Sequence, residues 1–102
     1  MSINQLISED NKQVTISIDN NFDFSLHQHF RDSYSSCDLK NTTFFLNLSK
    51  TEYMDSSALG MILLLKDHAD NIGGKVIIQK PNKSVNKILE IAQFHRLVTI
   101  EK

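Results

Sequence analysis

The sequence predicts a single α/β domain built on a mixed, mostly parallel sheet, with elements in the order β-β-α-β-α-β-α-β. Two observations carry this. After residue 42, strand-type and helix-type patterns alternate, which implies parallel strands joined by right-handed helical crossovers. Before that, two strand-like segments are separated by a short polar turn, which implies an antiparallel start. The 102 residues suit one domain, 1–102. A chain of that length can bury roughly two-thirds of its unfolded surface without a disulfide or metal.

Each element has a local reason. "INQLIS" is a weak strand that turns back through "EDNK". "KQVTISI" alternates, with Val14, Ile16 and Ile18 on one face and Thr15 and Ser17 on the other, as in a half-buried strand. "DNNFDF" reads as a loop because of its two asparagines. Ser25 then caps a helix over 25–35 in which Leu26, Phe30 and Tyr34 recur every four residues. "TTFFLNLS", with its strand near 43–48, is β-prone and apolar on both faces, as a central strand requires.

A second helix spans 56–71 and ends on Gly73 or Gly74. Leu59, Ile62, Leu63 and Ala69 fall on one side of it, and Met61, Leu64 and Leu65 lie around the rest. Apolarity so broad implies either heavy burial or a face that meets a partner. "KVIIQ" (75–79) is a buried strand and Pro81 marks a loop. A helix over 83–92 places Val85, Ile88, Leu89 and Ala92 on one face, and "RLVTIE" closes the sheet near 97–101.

Composition excludes several function classes. Apolar residues make up 40% and charged residues 23%, which is globular rather than disordered. A net charge of -1 without a basic stripe argues against nucleic acid. The longest apolar run, "MILLL", is far short of a membrane span, and the acidic "MSINQLISED" is no signal peptide. The single Cys37 cannot form an internal disulfide and suits a reducing compartment, so a cytoplasmic location is expected.

Catalytic and metal templates are not met. The chain has no G-x-S-x-G elbow, Walker loop or G-x-G-x-x-G. His68 lies three turns along the helix from Ser56, too far for a Ser-His-Asp group with Asp55. His27 and His29 diverge on a helix, His68 and His95 stand alone, and all four read as solvated. Cys37 has no basic activator and reads as an ordinary, partly buried thiol. No metal or cofactor is therefore expected, and the chain reads as a non-enzyme.

The informative stretch is "YMDSSALGMILLLKDHADNIGG", residues 53–74. Asp55, Ser56 or Ser57 can cap the helix that follows. A capping box is absent, since Leu59 and Gly60 stand three residues after the two serines. Gly60 costs a helix about 1 kcal/mol against alanine, so close approach of another backbone or a partner is needed to explain it.

"MDSSALG" resembles the phosphorylation motif of bacterial anti-sigma factor antagonists, the STAS domain family. The usual form there is an apolar residue followed by D-S-[ST]-G-L-G at a helix start. Met54, Asp55, Ser56, Ser57, Leu59 and Gly60 match it, and Ala58 replaces the usual glycine. "FDF" resembles the family's "ELD" loop, which places Asp23 at its acidic position between Phe22 and Phe24. The glycine often found before that loop is absent; Asp19, Asn20 and Asn21 stand there. The element order matches over nearly the whole chain.

The resemblance implies a switch protein. Ser56 is the implied phosphoacceptor; residue chemistry alone does not choose it over Ser57. Phe22, Asp23, Phe24, Asp55, Ser57 and Ala58 form the implied phosphosite environment and partner surface. The implied partners are an anti-sigma factor or serine kinase and a PP2C-type phosphatase. "FDFSLHQHFRDSY" with "DSSALGMILLLKDHA" is similar to a proteobacterial branch whose phosphatase is carried by a response regulator. Two other readings of a STAS domain stand beside this one: nucleotide binding, and service as an accessory subunit of a transporter.

Overall fold

The computed structural model describes residues 3–102. Met1 and Ser2, which open the acidic N-terminal stretch, lie outside the described residues. Strands β1 (Ile3–Ile7), β2 (Gln13–Ile18), β4 (Thr43–Asn47), β6 (Lys75–Gln79) and β7 (Thr99–Glu101) form one sheet in the order β1-β2-β4-β6-β7. β1 runs antiparallel to β2, and every other pair is parallel. Helices α1 (His27–Asp32), α2 (Ser56–Asn71) and α3 (Lys83–Ile91) are the crossovers. This is the expected mixed α/β fold.

Topology decides where the core lies. From β2 to β7 the strands are added in one direction, so right-handed crossovers put all three helices on the same face. Val14, Ile16, Ile18, Phe44, Leu46, Val76 and Ile78 face that layer and are buried. The opposite face carries Thr15, Phe45 and Ile77 in one register row, all half-buried. Phe45 is therefore apolar on a face that no described helix covers.

Two further strands were not expected. β3 (Asn20–Phe22) and β5 (Thr51–Met54) pair in parallel as a separate two-stranded ribbon. β3 lies in the segment read as a loop. Asn20 takes a left-handed φ of 62°, which asparagine tolerates, and the register shifts between Asn20 and Asn21. The ribbon is anchored at its base: the Thr51 hydroxyl donates to the Ile18 carbonyl (2.6 Å), and Asn82 Nδ2 donates to the Thr51 carbonyl (3.0 Å). Asn82 also caps α3, its Oδ1 accepting the Val85 N–H at 2.8 Å.

The first helix differs from expectation in its start. Asp23, not Ser25, is the cap, and the chain enters through a 3₁₀ turn over Phe24–Leu26 before α1. Leu26, Phe30 and Tyr34 are buried as the four-residue period requires. The closing strand is shorter than expected, because Phe94–Arg96 form a 3₁₀ turn before β7.

In α2 the buried stripe is Ala58, Met61, Ile62, Leu65 and Ala69, the i, i+3, i+4, i+7 pattern of one face. Leu63 and Leu64 are exposed, at 43% and 52%. The helix is thus not wrapped in core, and its outer face is left apolar. It ends in a Schellman motif. Gly73, at φ +70°, donates to Asp70, and the Gly74 N–H donates to the Ala69 carbonyl at 2.8 Å. Gly74 has a second constraint, since a Cβ there would lie 2.0 Å from the Thr42 carbonyl oxygen.

Candidate functional site

The site grows from the end of the β3–β5 ribbon. Phe22 and Met54 are register partners and both are buried. The Asp55 N–H donates to the Phe22 carbonyl at 3.3 Å, which carries the pairing one residue further. Asp23 and Asp55 therefore leave neighbouring strands side by side, at a backbone separation of about 4.8 Å.

Both aspartates then make the same turn. Asp55 is the N-cap of α2: its Oδ1 accepts the Ser57 N–H (3.0 Å), the Ala58 N–H (3.3 Å) and the Ser57 hydroxyl (2.5 Å). Asp23 Oδ1 accepts the Ser25 N–H (2.9 Å) and the Ser25 hydroxyl (2.5 Å). "Phe-Asp-Phe-Ser" and "Met-Asp-Ser-Ser" are thus local structural equivalents. Each buries its first residue and turns its third outward. The outward residues are Phe24, 64% exposed, and Ser56.

This distinguishes the two serines. The Ser57 hydroxyl is half-buried and committed to Asp55. The Ser56 hydroxyl is exposed and makes no hydrogen bond among the described residues. Ala58, the residue after the two serines, is fully buried. Tyr53, 53% exposed, stands on the ribbon beside the site, and Phe24 stacks on the His27 ring at a centroid distance of 5.0 Å. Neither Asp23 nor Asp55 is ion-paired among the described residues, so both charges are open to a partner.

Gly60 continues the exposed face of α2. A Cβ there meets nothing within 4 Å, so no backbone of this chain explains the glycine. Phe22, Asp23, Phe24, Asp55, Ser57 and Ala58 are gathered around Ser56. Tyr53 on β5 and Leu63 and Leu64 on α2 are also exposed apolar residues, of which the sequence pointed to the two leucines and not to Tyr53. The breadth of apolar positions on α2 signalled the two leucines; nothing signalled Tyr53, because β5 was not recognised.

The histidines and the cysteine lie elsewhere. His68 is not a solvated residue. It donates through Nε2 to the Cys37 carbonyl (2.8 Å) and packs on the Tyr34 and Phe44 rings. Since a carbonyl only accepts, Nε2 carries the proton. Burial pushes the Cys37 thiol above its usual pKa and Asp38 adds to the effect, so Cys37 is a poor nucleophile at neutral pH. Among the described residues no group of histidine, cysteine or carboxylate side chains could hold a metal. No described helix is long and apolar enough to cross a membrane.

The model of the STAS domain family matches residues 4–102, nearly the whole chain. The protein belongs to the STAS domain family. It is 40% identical over 100 residues to a STAS-domain containing protein of Pseudomonas aeruginosa, covering 98% of this chain and 99% of that one. Its fold is that of the anti-sigma factor antagonist SpoIIAA. Against the unphosphorylated form the TM-score is 0.83 at 18% identity, covering 98% of this chain and 88% of the other. Against the phosphorylated Bacillus form it is 0.74 at 17% identity, covering 98% and 91%. A proposed anti-sigma factor antagonist from Thermotoga maritima gives 0.81 at 23% identity, covering 98% and 86%.

Proposed function

We propose that this STAS domain is an anti-sigma factor antagonist whose partner binding is switched by phosphorylation of Ser56. The observation that carries the reading is the division of labour at the helix start: Asp55 holds Ser57 and leaves Ser56 exposed. The family assignment and the likeness to SpoIIAA in both phosphorylation states support it. In this reading the protein is a cytoplasmic binding module and not an enzyme. An anti-sigma factor with serine kinase activity adds the phosphate. A PP2C-type phosphatase, carried by a response regulator, removes it.

The physics of the switch follows from the geometry. A phosphoserine adds about −1.5 to −2 charge at neutral pH. Helix N-termini accept anions through free N–H groups, but those of Ser57 and Ala58 are already taken by Asp55. The phosphate therefore projects outward, beside Asp55 and Asp23, and alters the surface rather than the fold. A partner that fits the unmodified face would have to bury that charge without a matching donor. The cost is on the order of 2–5 kcal/mol, or roughly 30-fold and upward in affinity.

The test is mass spectrometry of the protein after treatment with its cognate kinase and ATP, followed by titration of both forms with the anti-sigma factor. Phosphate on Ser56, with binding lost at least about 30-fold, is the expected outcome. Phosphate on Ser57 alone, or equal affinity of the two forms, overturns the reading.

A further inference from the structure

The face of the sheet that carries no helix is crossed by one register row, from edge to edge: Leu6, Thr15, Phe45, Ile77 and Thr99. Leu6 is 72% exposed, and Phe45 and Ile77 are half-buried. A sheet face that met only water would put polar residues at these positions.

The rows on either side are polar and nearly uncharged. By alternation, Lys75 shares a row with Gln13 and Thr43, and Glu101 shares one with Asn47 and Gln79. They are the only charged strand residues on this face among the described residues, although the chain as a whole is 23% charged. An apolar centre depleted of charge is the compositional mark of an interface. Neither Lys75 nor Glu101 is ion-paired among the described residues. The Glu101 carboxylate accepts only a long bond from Gln79 Nε2, at 3.4 Å.

The two charges make the face complementary to itself. Lys75 lies two residues before the apolar row on β6, and Glu101 lies two residues after it on the adjacent β7. A twofold axis along the row stacks each strand on its own copy, running the opposite way. Leu6, Phe45 and Ile77 then meet their own counterparts. Lys75 of each copy falls opposite Gln79 of the other, one strand spacing of about 4.8 Å from Glu101. Aligned sheets pack about 10 Å apart, within reach of a lysine and a glutamate together. Symmetry makes two such ion pairs and opposes no like charges. A twofold axis along the strands instead sets Lys75 over Gln13 and Glu101 over Asn4, and pairs no charge.

We propose that the open face of the sheet is a homodimer surface, on which a second copy of this chain stacks through the Leu6–Phe45–Ile77 row and exchanges Lys75–Glu101 ion pairs. The strands alone give a footprint of roughly 20 by 17 Å, below that of a standard interface, so the association is reversible and concentration-dependent. It does not rest on the switch at Ser56, because α2 lies on the other face of the sheet.

The experiment is sedimentation velocity of the full chain from about 10 μM to about 1 mM, with amide chemical shifts of labelled protein over the same range. A sedimentation coefficient that rises with concentration, and shifts that follow the row from Leu6 to Thr99, are expected. Lys75→Glu and Glu101→Lys should each weaken the dimer about tenfold, since each turns two attractions into two repulsions. The double variant should restore it. Leu6→Glu should also weaken it. All three residues are exposed, so the variants keep the fold, as their spectra at low concentration will show. A chain that stays monomeric throughout, shifts that fall on α2 instead, or a double variant no better than the singles overturns the proposal. So does a monomer whose row shifts only when phosphatidylglycerol vesicles are added.

Discussion

The main-chain N–H of Asp55 donates to the carbonyl of Phe22, and this one bond sets the two acidic turns of the site against each other. It extends the β3–β5 ribbon past its last register pair and carries Asp23 and Asp55 out of the sheet together. Each aspartate then spends its carboxylate on the serine two residues ahead. What reaches solvent is an aromatic ring from one turn and a free hydroxyl from the other. In the proposed function this places recognition and modification side by side.

The capping role of Asp55 can be separated from its charge. Asp55→Ala removes the acceptor of two backbone N–H groups and should cost about 1–2 kcal/mol. Asp55→Asn keeps an acceptor and should cost less than half as much. Urea denaturation of both variants measures this. Equal stability of Asp55→Ala and the parent would show that the cap contributes nothing.

Much of this was legible in the chain, and the misses have physical causes. The long alternating strand at Val14–Ile18 and the helix ending on two glycines were clear because period and punctuation agreed. β3 was not, because three residues containing two asparagines carry no strand propensity. Its pairing with β5 is imposed by Phe22 and Met54 burying together. The same mistake hid Tyr53. Ser25 was mistaken for a cap because serine and aspartate are equally good ones, and only the backbone shows that the turn begins at Asp23. His68 was misjudged because its partners, Tyr34, Phe44 and the Cys37 carbonyl, come from distant parts of the chain.

In the proposed function Phe24 is the aromatic anchor of the partner surface, since it is largely exposed yet held by stacking on His27. Phe24→Ala should leave stability within about 0.5 kcal/mol of the parent. It should weaken binding of the anti-sigma factor by at least about tenfold, or 1.4 kcal/mol. Asp23→Lys should also weaken binding while the domain stays folded. Calorimetric titration beside thermal melting checks both variants. Unchanged binding in the two of them moves the partner surface elsewhere.

Gly74 is fixed by geometry and not by flexibility. Any Cβ would overlap the Thr42 carbonyl oxygen, which is backbone and cannot rotate away. Gly74→Ala should therefore destabilise by about 1–3 kcal/mol through displacement of the α2–β6 connection from β4. Partner binding, which the proposed function places at the opposite end of α2, should be retained by the folded fraction. A denaturation midpoint equal to that of the parent would contradict the close approach.

Gly60 poses the reverse case. Nothing within this chain opposes a side chain there, and a helix interior favours alanine over glycine by about 1 kcal/mol. Gly60→Ala should then raise stability by close to that amount. If the partner lies against this turn of α2, the added methyl will hold it off, and binding will weaken as stability rises. Replacement by leucine, whose Cβ likewise meets nothing within 4 Å, should weaken binding further. The measurement is a paired one, urea denaturation for stability and titration with the anti-sigma factor for affinity. A gain in both quantities would mean that the partner does not approach Gly60, and that the binding face stops at the first turn of the helix.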